Sequence, residues 1–188
     1  MTNKPLQKFI EYIDNFFIDF TEEDFLNLLK IRRRWPIHTS PRGEVIGDVE
    51  LINNLGEKIW TPLYDAERFL DFNKFTYFYE KGYSFIFMEI LDLTEDLREI
   101  HQYALDNLGA IVHGNLYFSQ GLQNPSFDFH TDHYDIIIKN IYGKCKWIVG
   151  KDIRIIEDQQ SLFIEKNVIH KVEHIEGKRL SLTIALHN

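Results

Sequence analysis

From Ala110 to His187 the chain breaks into seven short runs, AIVHGNLYF, YDIIIKNIYG, KCKWIVG, DIRII, SLFIEKN, IHKVEHI and RLSLTIALH, separated by Gly, Asp and Asn. Each is rich in β-branched and aromatic residues and too short for a stable helix, so each is expected as a strand. Short strands at such close spacing pair antiparallel, and a sheet built from them removes its exposed edges by curling into a sandwich or barrel. In the last run Arg179, Ser181 and Thr183 fall on one face and Leu180, Leu182 and Ile184 on the other. The leucine face belongs to a core. The polar face looks onto water or a cavity.

The preceding residues read differently. Leu6, Phe9, Ile10, Ile13, Phe16, Phe17 and Phe20 recur at steps of three and four, which predicts an amphipathic helix. Thr21 opens a second helix with acids at its positive end, running to about Arg34 and stopped by Trp35-Pro36. EVIGDVELI is expected as a strand, DAERFLDF as a short helix and GYSFIFMEI as a buried strand. A further helix starts at Thr94, carries Leu97, Ile100, Tyr103, Ala104 and Leu108 on one face, and closes at Gly109. A chain of 188 residues, 44% hydrophobic, fills one core and leaves little for a second. The expectation is therefore an α+β, mainly β, single domain over 1–188. Residues 1–109 form a helical N-terminal part with one or two strands, and 110–188 the β core, with the helices packed on one sheet.

A formal charge of -8 argues against a nucleic-acid or anionic-membrane partner, because both would be repelled by the averaged field. The basic run Lys30 to Arg34 reads as a solvated helix end, its cations placed at the negative end of the dipole. The single cysteine, Cys145, allows no internal disulfide and suits a reducing compartment. The first twenty residues interleave acids with their apolar positions, unlike a signal peptide or a membrane span, so the expected location is cytoplasmic.

The chemistry-bearing stretch is FDFHTDHYD, residues 127 to 135. Two histidines and one carboxylate on the same side of a metal leave its other positions open, which suits non-heme ferrous iron. His130 and Asp132, two apart on extended chain, offer one imidazole and one carboxylate to the same face, and NVIH offers His170 from another strand. Two rivals carry the same spacing, His133 with Asp135 and His174 with Glu176, and spacing alone does not separate them. Nine residues beyond His170 stands Arg179, whose guanidinium is shaped to grip a carboxylate through two parallel hydrogen bonds, with the Ser181 hydroxyl able to add a third.

The order His130-x-Asp132, His170, Arg179-x-Ser181 resembles the iron(II)/2-oxoglutarate-dependent oxygenases. From EKGYSFIF to KCKWIV the chain is similar in layout to their JmjC/cupin-type, ribosomal-oxygenase-like branch. There a Gly-Tyr strand, a covering helix, N-x-Y, H-x-D-x-x-D and G-x-x-x-W come in the order seen here as Asn115 to Tyr117, His130 to Asp135, and Gly143 to Trp147. The resemblance implies a double-stranded β-helix of cupin type and a hydroxylase using Fe(II), 2-oxoglutarate and O2. It gives the ligand places to His130, Asp132 and His170 rather than to the rival pairs, the far carboxylate of 2-oxoglutarate to Arg179 and Ser181, and further cosubstrate contacts to Asn115 and Tyr117. The implied substrate is a peptidyl side chain, an amino acid or another small metabolite, with no nucleic acid and no membrane; barrels of this kind often pair, which leaves a homodimer open.

One position departs from the pattern. The JmjC branch usually places Lys or Arg two residues after Gly143 to bind the far carboxylate, and here that residue is Cys145, flanked by Lys144 and Lys146 on the opposite face. Arg179 matches instead the anchor of the prolyl-hydroxylase and penicillin-synthase branches. A cupin metalloenzyme that does not use 2-oxoglutarate, and a catalytically silent cupin-like binding protein, are the alternatives this departure leaves. Cys145 itself reads as a small buried hydrophobe, and Lys139, inside an isoleucine run, points either into the barrel or outward.

Overall fold

The computed structural model describes residues 4–19, 21–31, 38–39, 45–46, 49–59, 61, 63–65, 67, 69–121 and 127–187. α1 (Lys4–Asn15) forms where the apolar spacing places it, and α2 (Glu22–Ile31) follows Thr21 with acids in its first turn. Phe9 and Ile13 are the buried positions of α1. The helix is shorter than its stripe, since the chain leaves helical conformation after Asn15 and Phe17 is exposed. α2 is capped reciprocally: the Asp24 N–H donates to Thr21 Oγ1 at 3.2 Å and the Thr21 N–H to Asp24 Oδ2 at 2.9 Å. Its expected continuation to Arg34, and the Trp35-Pro36 stop, lie outside the described residues.

The expected strand over EVIGDVELI appears in two pieces. β1 (His38–Thr39) pairs with β2 (Val45–Ile46), and β3 (Val49–Ile52) pairs with β4 (Lys58–Ile59). The helix expected at DAERFLDF is displaced. Asp65 Oδ1 accepts the N–H groups of Glu67 and Phe69 in a local turn, and α3 (Phe72–Glu80) begins only after Asp71, whose carboxylate accepts from Asn73 and Lys74. β5 (Ser84–Phe87) is buried throughout, and α4 (Glu95–Leu108) runs from its Thr94 cap to Gly109.

The seven expected runs become five strands: β6 (Val112–Ser119), β7 (Asp135–Val149), β8 (Asp152–Ile156), β9 (Ser161–Ile164) and β10 (His170–Leu186). Gly143 and Gly177, which read as turn residues, instead kink two continuing strands. Gly143 has φ +96°, and the pairing of β7 with β10 shifts register between Glu176 and Ser181. A Cβ at Gly143 would collide with the carbonyl oxygen of Lys178. Gly143→Ala is therefore expected to lower stability by at least about 1–3 kcal/mol from backbone strain alone, read in a thermal melt as a drop of about 2–4 °C for each kcal/mol.

The order across the main sheet is β4-β3-β5-β6-β10-β7-β8, with β9 also paired to β7. Its two faces carry two cores. Leu116 and Phe118 of β6, Ile137 and Ile141 of β7, and Leu180, Leu182 and Ile184 of β10 pack with Phe9, Phe25, Phe75 and Leu97 beneath the helices. Ile136 and Ile138 from the first half of β7 pack instead with Cys145 and Trp147 from its second half and with Val172 of β10. The kink has turned one long strand back on itself, and the second core is the barrel interior. The fold is thus the expected mainly β, α+β barrel with helices packed on one face of the sheet. Lys139 resolves accordingly. It lies on the helix side, 1% exposed, and its ammonium donates to the carbonyls of Asp14, at the end of α1, and of Gln159 at 3.1 and 2.5 Å. A cation there complements the negative end of α1 and ties that helix to the barrel.

Candidate metal centre

His130 and His170 are brought together by their own backbones: the His130 N–H donates to the His170 carbonyl at 3.1 Å and the His170 N–H to the His130 carbonyl at 2.9 Å. Such a bridge puts the two side chains on the same face, and the ring centroids are 4.4 Å apart. The Asn167 N–H donates to the Asp132 carbonyl at 2.7 Å and pins the third residue to the turn before β10. His130 Nδ1 is 2.8 Å from the carbonyl of Asp128, and His170 Nδ1 is 2.9 Å from that of Val168. Carbonyls only accept, so each ring carries its proton on Nδ1 and presents the lone pair of Nε2, the tautomer a metal ligand needs. His170 Nε2 lies 3.5 Å from Asp132 Oδ2. The ligand atoms of His130, Asp132 and His170 all fall within 4.8 Å of one another, and this donor set can hold a metal ion. Burial pushes the His170 pKa down, which keeps the imidazole neutral and available.

The rival pairs separate here. His133 is exposed and Asp135 Oδ1 is taken by the Lys166 N–H at 2.8 Å, a turn contact. The side chain of His174 lies outside the described residues, and Glu176 is an exposed partner of Lys144. Lys144 and Lys146 do point away from the barrel, to Glu157 and Glu173.

The three candidate ligands open onto a cavity of about 280 Å3 whose wall also includes Asn115, Tyr117, Trp147, Arg179, Ser181 and Thr183. Arg179 is 1% exposed, with its guanidinium carbon 5.6 Å from the Tyr117 ring centroid. Burial pushes the guanidinium pKa down, an unfavourable placement for a cation that an incoming carboxylate would relieve. Burial likewise pushes the Tyr117 phenol up, so it remains a donor. Ser181 differs from expectation in detail. Its Oγ lies 2.7 Å from Asn140 Oδ1, whose amide is oriented by donating Nδ2 to the Gly143 carbonyl, so the hydroxyl proton is directed at Asn140 rather than into the cavity. Asn115 Oδ1 accepts the N–H of Glu89 at 3.2 Å. Cys145 is fully buried beside Arg179, and burial raises its thiol pKa against the opposing pull of that guanidinium. It is a packed thiol, not a nucleophile.

Sequence reading missed the far wall. The registers join Glu50, Ile86, Tyr117, Ser181 and Asn140 into one row across β3, β5, β6, β10 and β7, so Glu50 shares the cavity face with Tyr117. Glu50 and Lys58 both line the cavity and pair at 2.7 Å, and Phe127 lies beside Lys58. The signal was there only in part: Glu50 is the one polar residue of a four-residue strand, but nothing in the sequence says which sheet that strand joins.

No protein-family model matches the sequence, and no curated protein is similar to it. Similar solved structures include a cupin 2 conserved barrel domain protein from Leptotrichia buccalis, 20% identical over 40% of this chain and 36% of that chain with a TM-score of 0.37. Another is a cupin superfamily protein from Desulfitobacterium hafniense, 15% identical over 42% of this chain and 74% of that chain, TM-score 0.37. A third is a conserved Streptococcus pyogenes protein of unknown function, 10% identical, TM-score 0.37, where the match covers 41% of this chain and 65% of that one. The chain thus spans less than two thirds of the first and third of these proteins. Among the described residues no helix is long and apolar enough to cross a membrane.

Proposed function

We propose that the protein is an iron(II)- and 2-oxoglutarate-dependent oxygenase that hydroxylates a small substrate. The observation that carries this reading is the pairing of two features in one cavity wall: the clustered ligand atoms of His130, Asp132 and His170, and a buried arginine, Arg179. His130, Asp132 and His170 would hold ferrous iron, a metal that two imidazoles and one carboxylate suit while leaving it open to a cosubstrate and dioxygen. Bound iron would supply the activation of dioxygen, with 2-oxoglutarate, O2 and R–H giving succinate, CO2 and R–OH.

The chain's own residues would do the rest. His130 and His170 hold their lone pairs in place through their Nδ1 hydrogen bonds to Asp128 and Val168. Arg179 receives the far carboxylate, with the Tyr117 hydroxyl as the nearby donor in place of the one first expected of Ser181. Cys145, where the resembling branch carries a long cation, leaves room for the guanidinium arriving from β10. The apolar residues Ile136, Ile138 and Val172 keep bulk water from the reacting carbon.

Anaerobic addition of Fe(II) and 2-oxoglutarate is expected to produce the weak visible charge-transfer band of the chelate, and admission of air to produce succinate. Metal binding without the band would point to a cupin metalloenzyme that does not use 2-oxoglutarate. Neither metal binding nor band would leave the binding-protein reading.

A further inference from the structure

With the candidate ligands and Arg179 assigned to metal and cosubstrate, two charged side chains remain in the cavity wall among the described residues: Glu50 and Lys58. They come from adjacent strands, β3 and β4, and meet at 2.7 Å. Their burial is unequal. Glu50 is 13% exposed in its side chain and Lys58 44%, so the carboxylate faces inward and the ammonium stands at the rim beside Phe127.

The pair lines the same cavity as the candidate ligands and Arg179. Glu50 occupies the same cross-strand row as Tyr117 and Ser181, three strands from the latter, which at about 4.8 Å per strand is about 14 Å away. That separation leaves space between them for a cosubstrate and a short side chain. In that row the apolar Ile86 stands next to Glu50 and before Tyr117, and Met88, two residues along from Ile86, also lines the wall. At about 280 Å3 the cavity falls at the small end of ligand sites. A ligand that matches this sequence of surfaces carries a cation and an anion close together at one end and an aliphatic chain at the other. Its two charges can exchange partners with a pair that is already matched, so neither protein charge is left unpaired on binding.

We propose that Glu50 and Lys58 form the head-group site for a free α-amino acid with an aliphatic side chain, Glu50 receiving the ammonium and Lys58 the carboxylate. The hydroxylation of that side chain rests on the oxygenase reading above; the binding does not. The test is calorimetry on the zinc-loaded protein with 2-oxoglutarate present, titrating leucine, isoleucine, norleucine and methionine against their N-acetyl and carboxamide forms. Saturable binding of at least one free amino acid is expected, weakened about tenfold or more by either block, the range for losing a charged hydrogen bond. Glu50→Gln should weaken it similarly. The exchange Glu50→Lys with Lys58→Glu keeps the ion pair, and so any strand-tying role, but misplaces both charges; it should melt like the parent and still bind poorly.

Equal affinity for free and blocked forms, binding of doubly blocked peptides only, no binding of any free amino acid, or full recovery in the exchanged variant would each overturn the proposal. A chelate band without amino-acid binding would sink this inference and leave the oxygenase reading standing. Amino-acid binding without the band would do the reverse.

Discussion

Replacing His170 with alanine is expected to abolish both tight metal binding and turnover. Loss of an outer partner of a metal ligand typically costs about 10–100-fold in affinity, and loss of one of three protein ligands must exceed that. The fold should survive, because His170 joins the site to the barrel through its backbone: its N–H and carbonyl pair with His130, and alanine keeps both. Asp132→Ala should behave alike in metal affinity. His133→Ala, three positions along from His130, is the matched control, since that side chain is exposed and its companion Asp135 is engaged with the Lys166 N–H. Anaerobic titration with Fe(II), followed by calorimetry, reads the difference. Unchanged affinity in His170→Ala, or a comparable loss in His133→Ala, would move the metal away from the proposed centre.

That control matters because the sequence offers three His-x-acid pairs of the same spacing, and spacing is a local property. What separates them is the backbone bridge between residues 130 and 170, a contact between distant positions that no local pattern encodes. By contrast, the inward face of β10 was legible from alternation alone: Leu180, Leu182 and Ile184 pack beneath the helices, while Arg179, Ser181 and Thr183 line the cavity. Period-two patterns survive into the structure because one face must be apolar. The breaks between runs were less legible, for glycine marks a turn and a kink equally. Gly143 and Gly177 were read as turns, yet each bends a strand that continues, and those bends place Cys145 and Trp147 opposite Ile136 and Ile138. The misplaced helix at Asp65 has the same origin. Two aspartates, Asp65 and Asp71, both accept backbone N–H groups, and only the second is followed by a helix. Glu50 and Lys58 lay beyond reach since strands of four and two residues carry too little pattern to show which sheet they extend.

Arg179→Met is expected to remove 2-oxoglutarate binding while sparing the metal. Methionine replaces the guanidinium by an apolar group of similar length, so the stem still fills the floor beside Tyr117 and Cys145. Because burial already disfavours the charge at this position, removing it should leave the melting temperature level or raise it. The cosubstrate then meets a wall with no cation for its far carboxylate, a loss of about 2–5 kcal/mol for a buried pair broken on one side. The Fe(II)/2-oxoglutarate band should vanish at concentrations that saturate the parent, with Fe(II) affinity itself unchanged. Arg179→Lys should fall between the two, keeping the charge but not the two parallel donors. These outcomes divide two roles that a buried arginine can play. An arginine that serves the fold would lower the melting temperature in both variants and leave the band in whatever protein stays folded. An arginine that serves the ligand loses the band in proportion to the donors removed, in a protein no less stable than its parent, and only that ordering is compatible with the cosubstrate assignment.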